Sequence, residues 1–130
     1  MKIFLSFAFL IFSISLNINA QIWRKTPNGV KLTVNKVDIE IQLYLESIVR
    51  IIKSPEGSAF NKESLSVVLK PKEINLSKSE KNGVLTITAK SVIIKCNLNS
   101  GAISFFKNNG IILLKEKENG TNFKRFNDAG

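Results

Sequence analysis

Histidine is missing from all 130 residues, and cysteine occurs once, at Cys96. Without an imidazole there is no Ser-His or Cys-His pair to activate a hydroxyl or thiol. One cysteine excludes an internal disulfide. Metal sites built from His, Cys or clustered carboxylates have little to draw on, because the ten Asp and Glu residues are scattered. The seven glycines stand singly at turns or at the C-terminus, so no glycine-rich loop can cradle a phosphate. Helical periodicity is wanting as well, since no useful length of chain after residue 20 repeats its apolar residues every three to four positions. The chain offers no catalytic residue, no metal ligand set and no cofactor motif.

Charge of one sign is scarce too. Nineteen lysines and arginines against ten acids give a formal charge of +9. The basic residues stand singly, without arginine clusters or interleaved stacking aromatics, which argues against a nucleic-acid partner. Solubility and protection of strand edges account for them. At the front, Lys2 is followed by the apolar run Ile3 to Leu16, then Asn17, Asn19 and Ala20. A positive start, a short apolar core and a small exit residue are the parts of a secretory signal peptide. The run falls short of the roughly 20 residues of a membrane span; an anchor helix is the competing reading. Cleavage between Ala20 and Gln21 is expected, although Ile18 is bulkier than usual three positions before the cut. No cysteine follows to carry a lipid. The sequence thus predicts a signal peptide over 1–20 and one exported domain over 21–130, periplasmic or extracellular, free of the membrane once the signal is removed. Losing Lys2 lowers the charge from +9 to +8.

The rest of the chain reads as strands. Asn82-Gly83, Ser100-Gly101 and Asn109-Gly110 are turn dipeptides, because Asn and Gly tolerate the positive φ of tight β-turns. Between them Leu85-Ile87-Ala89, Val92-Ile94-Cys96-Leu98, Ile103-Phe105 and Ile111-Leu113 keep the two-residue period of half-buried strands. Cys96 shares the parity of Val92, Ile94 and Leu98, which predicts a buried free thiol. Upstream, Val30-Leu32-Val34 and Val37-Ile39-Ile41-Leu43 alternate with polar residues. Ile48 to Ile52 is apolar on both sides except for Arg50, which predicts a strand covered on both faces, with Arg50 paired to a carboxylate. Leu65 to Leu69 reads as a short strand stopped by Pro71, and Ile74 to Ser79 pairs with Leu85 to Ala89. Trp23 to Asn28 lies outside this pattern and leads in to the Pro27-Asn28-Gly29 turn. The predicted class is all-β, an antiparallel sandwich.

The order Trp23…Gly29-Val30, Ile48-Val49-Arg50-Ile51, Gly83-Val84-Leu85-Thr86-Ile87, Asn99-Ser100-Gly101-Ala102-Ile103-Ser104-Phe105 and Asn109-Gly110-Ile111-Ile112-Leu113 resembles the N-terminal domain of glycoside hydrolase family 31. That family includes secreted bacterial α-glucosidases and α-xylosidases. The resemblance implies a galactose-mutarotase-like β-sandwich that precedes a catalytic (β/α)-barrel. It also implies further sandwich strands beyond Asp128-Ala129-Gly130. The family's two catalytic aspartates belong to the barrel, so no residue here inherits either role. Phe123 and Phe126 look made for burial with no partner strand after them. The expected reading is an incomplete sandwich: a truncated product, or a piece that packs on a catalytic barrel in the same or a neighbouring chain.

Retaining hydrolysis needs two carboxyl groups about 5–5.5 Å apart. Asp38 with Glu40, and Glu116 with Glu118, read instead as solvated surface pairs. For an oligosaccharide partner, Trp23 is the candidate stacking face because it stands outside the strand pattern; Tyr44, Phe105 and Phe106 follow, with Phe105 on the core parity. Packing of Trp23 over the sandwich is the simpler reading. The predicted function is a non-catalytic domain supporting the barrel and substrate entrance of an α-glycosidase. The alternatives are a stand-alone carbohydrate-binding or adhesion module and a structural envelope protein.

Overall fold

The computed structural model describes residues 22–58 and 68–124. The predicted signal peptide with its Ala20–Gln21 cut, most of the predicted Leu65–Leu69 strand, and Phe126 lie outside the described residues. Nine strands follow in order: β1 (Trp23–Thr26), β2 (Gly29–Val34), β3 (Val37–Leu45), β4 (Ile48–Pro55), β5 (Ser77–Lys81), β6 (Val84–Thr88), β7 (Ile93–Asn97), β8 (Ile103–Phe106) and β9 (Ile112–Lys115). They form two antiparallel sheets, β1-β2-β3-β4 and β5-β6-β7-β8-β9, in which every neighbour is also the next strand in sequence. No helix occurs among the described residues. The all-β sandwich is the observed architecture.

Turn chemistry sets the registers. Asn82 and Gly83 both take positive φ, 52° and 72°, which is what a two-residue hairpin turn requires. Asn35 and Lys36 do the same between β2 and β3, at 51° and 64°, although a lysine gains nothing from that conformation. Each register then fixes one inward face. Val30, Leu32 and Val34 of β2 and Ile39, Ile41 and Leu43 of β3 meet Leu85, Ile87, Ile94, Cys96 and Ile103 of the second sheet in a single core.

Several expectations need correcting. Trp23 to Asn28 does not merely lead in to the first sheet: Trp23–Thr26 pairs with Gly29–Leu32 as an edge strand. β4 is not covered on both faces. It too is an edge strand, and its Ile48 to Lys53 stretch is half-buried at best. β5 begins at Ser77 rather than Ile74 and runs on to Lys81; Ile74 and Leu76 still pack against the core margin from outside any strand. Val68 and Leu69 are exposed and not in a strand.

Polar contacts align the two layers. The Trp23 indole N–H donates to Glu80 Oε2 at 2.6 Å and the Lys78 ammonium to the Thr26 carbonyl at 3.3 Å, so β5 lies over β1. Across the sandwich, the Lys53 ammonium of β4 donates to the Gly101 carbonyl just before β8. The same ammonium also reaches Glu116, directly after β9, so β4 borders the β8–β9 end of the second sheet. Among the described residues that sheet has one strand more than the first, and β9 is its edge.

Candidate functional site

The predicted site residues do not converge. Trp23 is only 7% exposed, in the core, and its one polar atom is committed to Glu80. An indole held this way offers no face for stacking on a sugar. Tyr44 is buried as well. The register slips between Leu43 and Leu45, so Leu43 and Tyr44 are both covered, and the Tyr44 hydroxyl accepts from Arg50 Nη1 at 3.0 Å. Arg50 was expected beside a carboxylate; a neutral phenol on the neighbouring strand takes that place. Phe105 packs partly buried against the core, as its parity predicted. Phe106 lies on the outer face of the second sheet, and the Lys95 ammonium sits 4.9 Å above its ring centroid. A shallow hollow of about 420 Å³ opens there, lined in part by Lys95, Asn97, Ser104, Phe106 and Lys115.

The carboxylates are occupied. Asp38 accepts from Thr33 Oγ1 at 2.7 Å and from the Gly57 N–H at 2.9 Å. These two hydrogen bonds, with Arg24 at longer range, hold its pKa below the usual value. Glu40 pairs with Lys31 at 2.9 Å and accepts from Gln42. Glu116 departs from its expected place on the solvated surface. Its Oε2 accepts from the Lys53 ammonium at 2.6 Å and from the Ile103 N–H at 2.8 Å. Each of these carboxylates is engaged in hydrogen bonds or ion pairs within the sandwich. The Cys96 thiol is fully buried, and burial pushes its pKa up to about 11, the reverse of what a nucleophile needs. Among the described residues no three His, Cys, Asp or Glu side chains come together as metal ligands.

What the structure does offer is an apolar overhang. Ile111, Ile112, Leu113 and Leu114 are 54%, 58%, 52% and 60% exposed, four consecutive aliphatic side chains on and beside an edge strand. Natural edges are usually short, charged or covered, and contiguous apolar surface marks a contact site. Leu114 pairs with Phe105, and Phe105 with the fully buried Ile94, so Leu114 belongs to the inward face of its sheet. Among the described residues the first sheet has four strands against five in the second. Sequence reasoning found the apolar run but not its exposure, which depends on the strand count of the other sheet.

No protein-family model matches the chain, and no curated protein matches its sequence. Among solved structures, the crystal structure of a GH31 alpha-xylosidase from Xanthomonas citri aligns with a TM-score of 0.71 at 22% identity. The match covers 82% of this chain and 12% of that one, so the chain spans a small part of the xylosidase. At this identity the likeness shows the fold. The chain has the architecture of a β-sandwich segment found in a GH31 alpha-xylosidase, which agrees with the N-terminal sandwich its sequence resembles.

Proposed function

We propose that the chain is a non-catalytic, GH31-like sandwich unit that seats on a larger body. That body is the catalytic barrel of an α-glycosidase, in the same or a neighbouring chain, which it supports beside the substrate entrance. The observation that carries this reading is the aliphatic run Ile111–Leu114 on and beside the edge strand β9, whose side chains are more than half exposed. The engagement of Asp38, Glu40 and Glu116 in structural contacts supports a non-catalytic role. The name of the xylosidase supports the setting, hydrolysis of α-linked xylosides or glucosides. Export to the periplasm or beyond belongs to the same proposal and rests on the Lys2 to Ala20 pattern.

The purified chain should not turn over an aryl α-xyloside or α-glucoside. It should bind a dye that brightens on apolar surfaces, and Leu114→Lys should weaken that binding. Measurable turnover, or a dye-silent chain, would sink the reading. The outer hollow around Phe106 favours one competitor, a stand-alone exported carbohydrate-binding or adhesion module. Calorimetric titration with xylo- and gluco-oligosaccharides separates the two, since the module predicts saturable heat that Phe106→Ala removes.

A further inference from the structure

The sequence holds four Asn-Gly pairs: Asn28-Gly29, Asn82-Gly83, Asn109-Gly110 and Asn119-Gly120. An asparagine before glycine can lose its side-chain amide without an enzyme. The glycine nitrogen gives its proton to base and attacks the side-chain Cγ, closing a five-membered imide. The bond from Cγ to the amide nitrogen breaks, and that nitrogen leaves as ammonia with a proton from water. Water then opens the imide at either carbonyl. One opening gives aspartate; the other gives isoaspartate, whose main chain runs through the former side chain. Closure requires rotation about the asparagine Cα–C bond to bring nitrogen and Cγ together. Surroundings that hold the two residues therefore hold back the reaction.

Three of the pairs are held. Gly29 is buried in β2, where a Cβ would fall 1.8 Å from the Ile41 carbonyl oxygen. The Asn28 carbonyl beside it accepts from the Leu43 N–H at 2.8 Å. Asn82 and Gly83 are the whole loop between β5 and β6, closed by the Lys81–Val84 pair. The Gly83 carbonyl accepts from the Leu98 N–H at 2.8 Å. Rotation at Asn82 would abandon the turn geometry that sets the β5–β6 register. Gly120 is wedged against the segment before β8, where a Cβ would fall 2.4 Å from the Ser100 carbonyl oxygen.

The fourth pair is open. Asn109 and Gly110 are both exposed, and a Cβ on Gly110 would meet nothing within 4 Å. The Gly110 N–H donates to the Lys107 carbonyl at 2.8 Å, but the Gly120 N–H donates in the same way to Lys117 at 3.0 Å. That bond does not distinguish the two turns; the room around the glycine does. At Asn109 the Ile111 N–H also donates to Oδ1 at 3.2 Å, the oxygen on which negative charge gathers as the Gly110 nitrogen attacks. We infer that Asn109 is a site of spontaneous deamidation in the folded chain, where the fold lets it convert ahead of Asn28, Asn82 and Asn119. The product sets a carboxylate, and as isoaspartate one extra main-chain carbon, just before the exposed run Ile111–Leu114.

Peptide mapping by mass spectrometry of the full chain, kept folded in mildly alkaline buffer, tests this. The mass gain of amide-to-acid conversion should appear at Asn109 at least about tenfold faster than at the other three pairs. A protease that cuts before aspartate but not before isoaspartate should leave part of the product uncut. In concentrated urea all four pairs should convert at comparable rates, because nothing then holds any of them. Asn109→Gln, whose longer side chain cannot close the five-membered imide, should remove the early mass gain and leave the other three rates as they were. Equal rates at the four pairs of the folded chain overturn the inference, as does earlier conversion at any other pair. So does an intact Asn109 in a folded sample whose urea-treated twin converts. A preference for Asn109 that persists unchanged in urea overturns it too, because the fold would then contribute nothing.

Discussion

The Lys53 ammonium lies 2.6 Å from Oε2 of Glu116 and ties the edge strand of one sheet to the end of the other across 63 residues of sequence. The Lys53 side chain is 8% exposed and that of Glu116 32%. The same ammonium also reaches the Gly101 carbonyl at 3.1 Å. An inward-facing charge is tolerable at a sandwich margin only when it is answered in this way.

Glu116→Gln should therefore destabilise the fold, because it leaves the Lys53 charge buried with only neutral acceptors. A fully buried pair loses about 3–5 kcal/mol when one partner is removed, and the partial exposure of Glu116 reduces this to about 1–2 kcal/mol. Lys53→Met should cost less, since it removes the charge itself and leaves Glu116 bonded to the Ile103 N–H. Urea midpoints of the two variants give the order. The opposite order would mean that the pair acts through packing.

Trp23→Phe keeps an aromatic ring in the core but deletes the donor to Glu80. A hydrogen bond to a charged acceptor contributes about 1.5–3 kcal/mol, and this part-buried one belongs at the low end. In the parent chain Trp23 emission should be blue-shifted, resistant to iodide and unmoved by oligosaccharides. Saturable quenching by a sugar would contradict its burial.

Cys96 should react with thiol reagents only when the chain opens. With its pKa raised from 9.0 to about 11, first by burial, roughly one thiol in a thousand is ionised at about pH 8. The linkage has a definite sign. Below the unfolded value both states hold the proton and the stabilisation is complete. As pH rises from 9.0 towards about 11 the unfolded chain sheds a proton that the folded one keeps, so stability falls. Urea melts across that window should show the fall in the parent chain and a shallower one in Cys96→Ala.

Asp38 acts at the acid end. Its lowered pKa, caused first by Thr33 and then by the Gly57 N–H, favours the folded state above the unfolded value of 3.8. That contribution is lost as pH falls through the folded value. Asp38→Asn should flatten this part of the acid limb, and Thr33→Val should flatten it in part. Melting curves on the acid side of pH 3.8 that superimpose on those of the parent would remove the assignment.

Much of the fold was legible because local chemistry carries it. The Asn82-Gly83 and Ser100-Gly101 turns, with strict alternation between them, specify β6 to β8 without help from distant residues. β1 was not legible. Its Trp-Arg-Lys-Thr has one apolar side chain and becomes a strand only through its register with β2. For β4, a dense aliphatic run cannot distinguish a covered strand from the edge of a sheet; the composition is the same and only the neighbours differ. Lys53 shares the inward parity of Val49 and Ile51, a faint signal, but nothing in the sequence names Glu116 as its answer. The exposure of Ile111–Leu114 was the least visible of all, since it depends on what the other sheet places beside β9.

Because each ladder joins consecutive segments, the first half of the chain can zip its own ribbon without waiting for the second. Short-range pairing of this sort lowers the loop-closure cost of reaching the transition state. The late event is then the clasp of one ribbon onto the other. Substitutions at Lys53 or Glu116 should accelerate unfolding while leaving refolding nearly unchanged, a partition that chevron plots read directly.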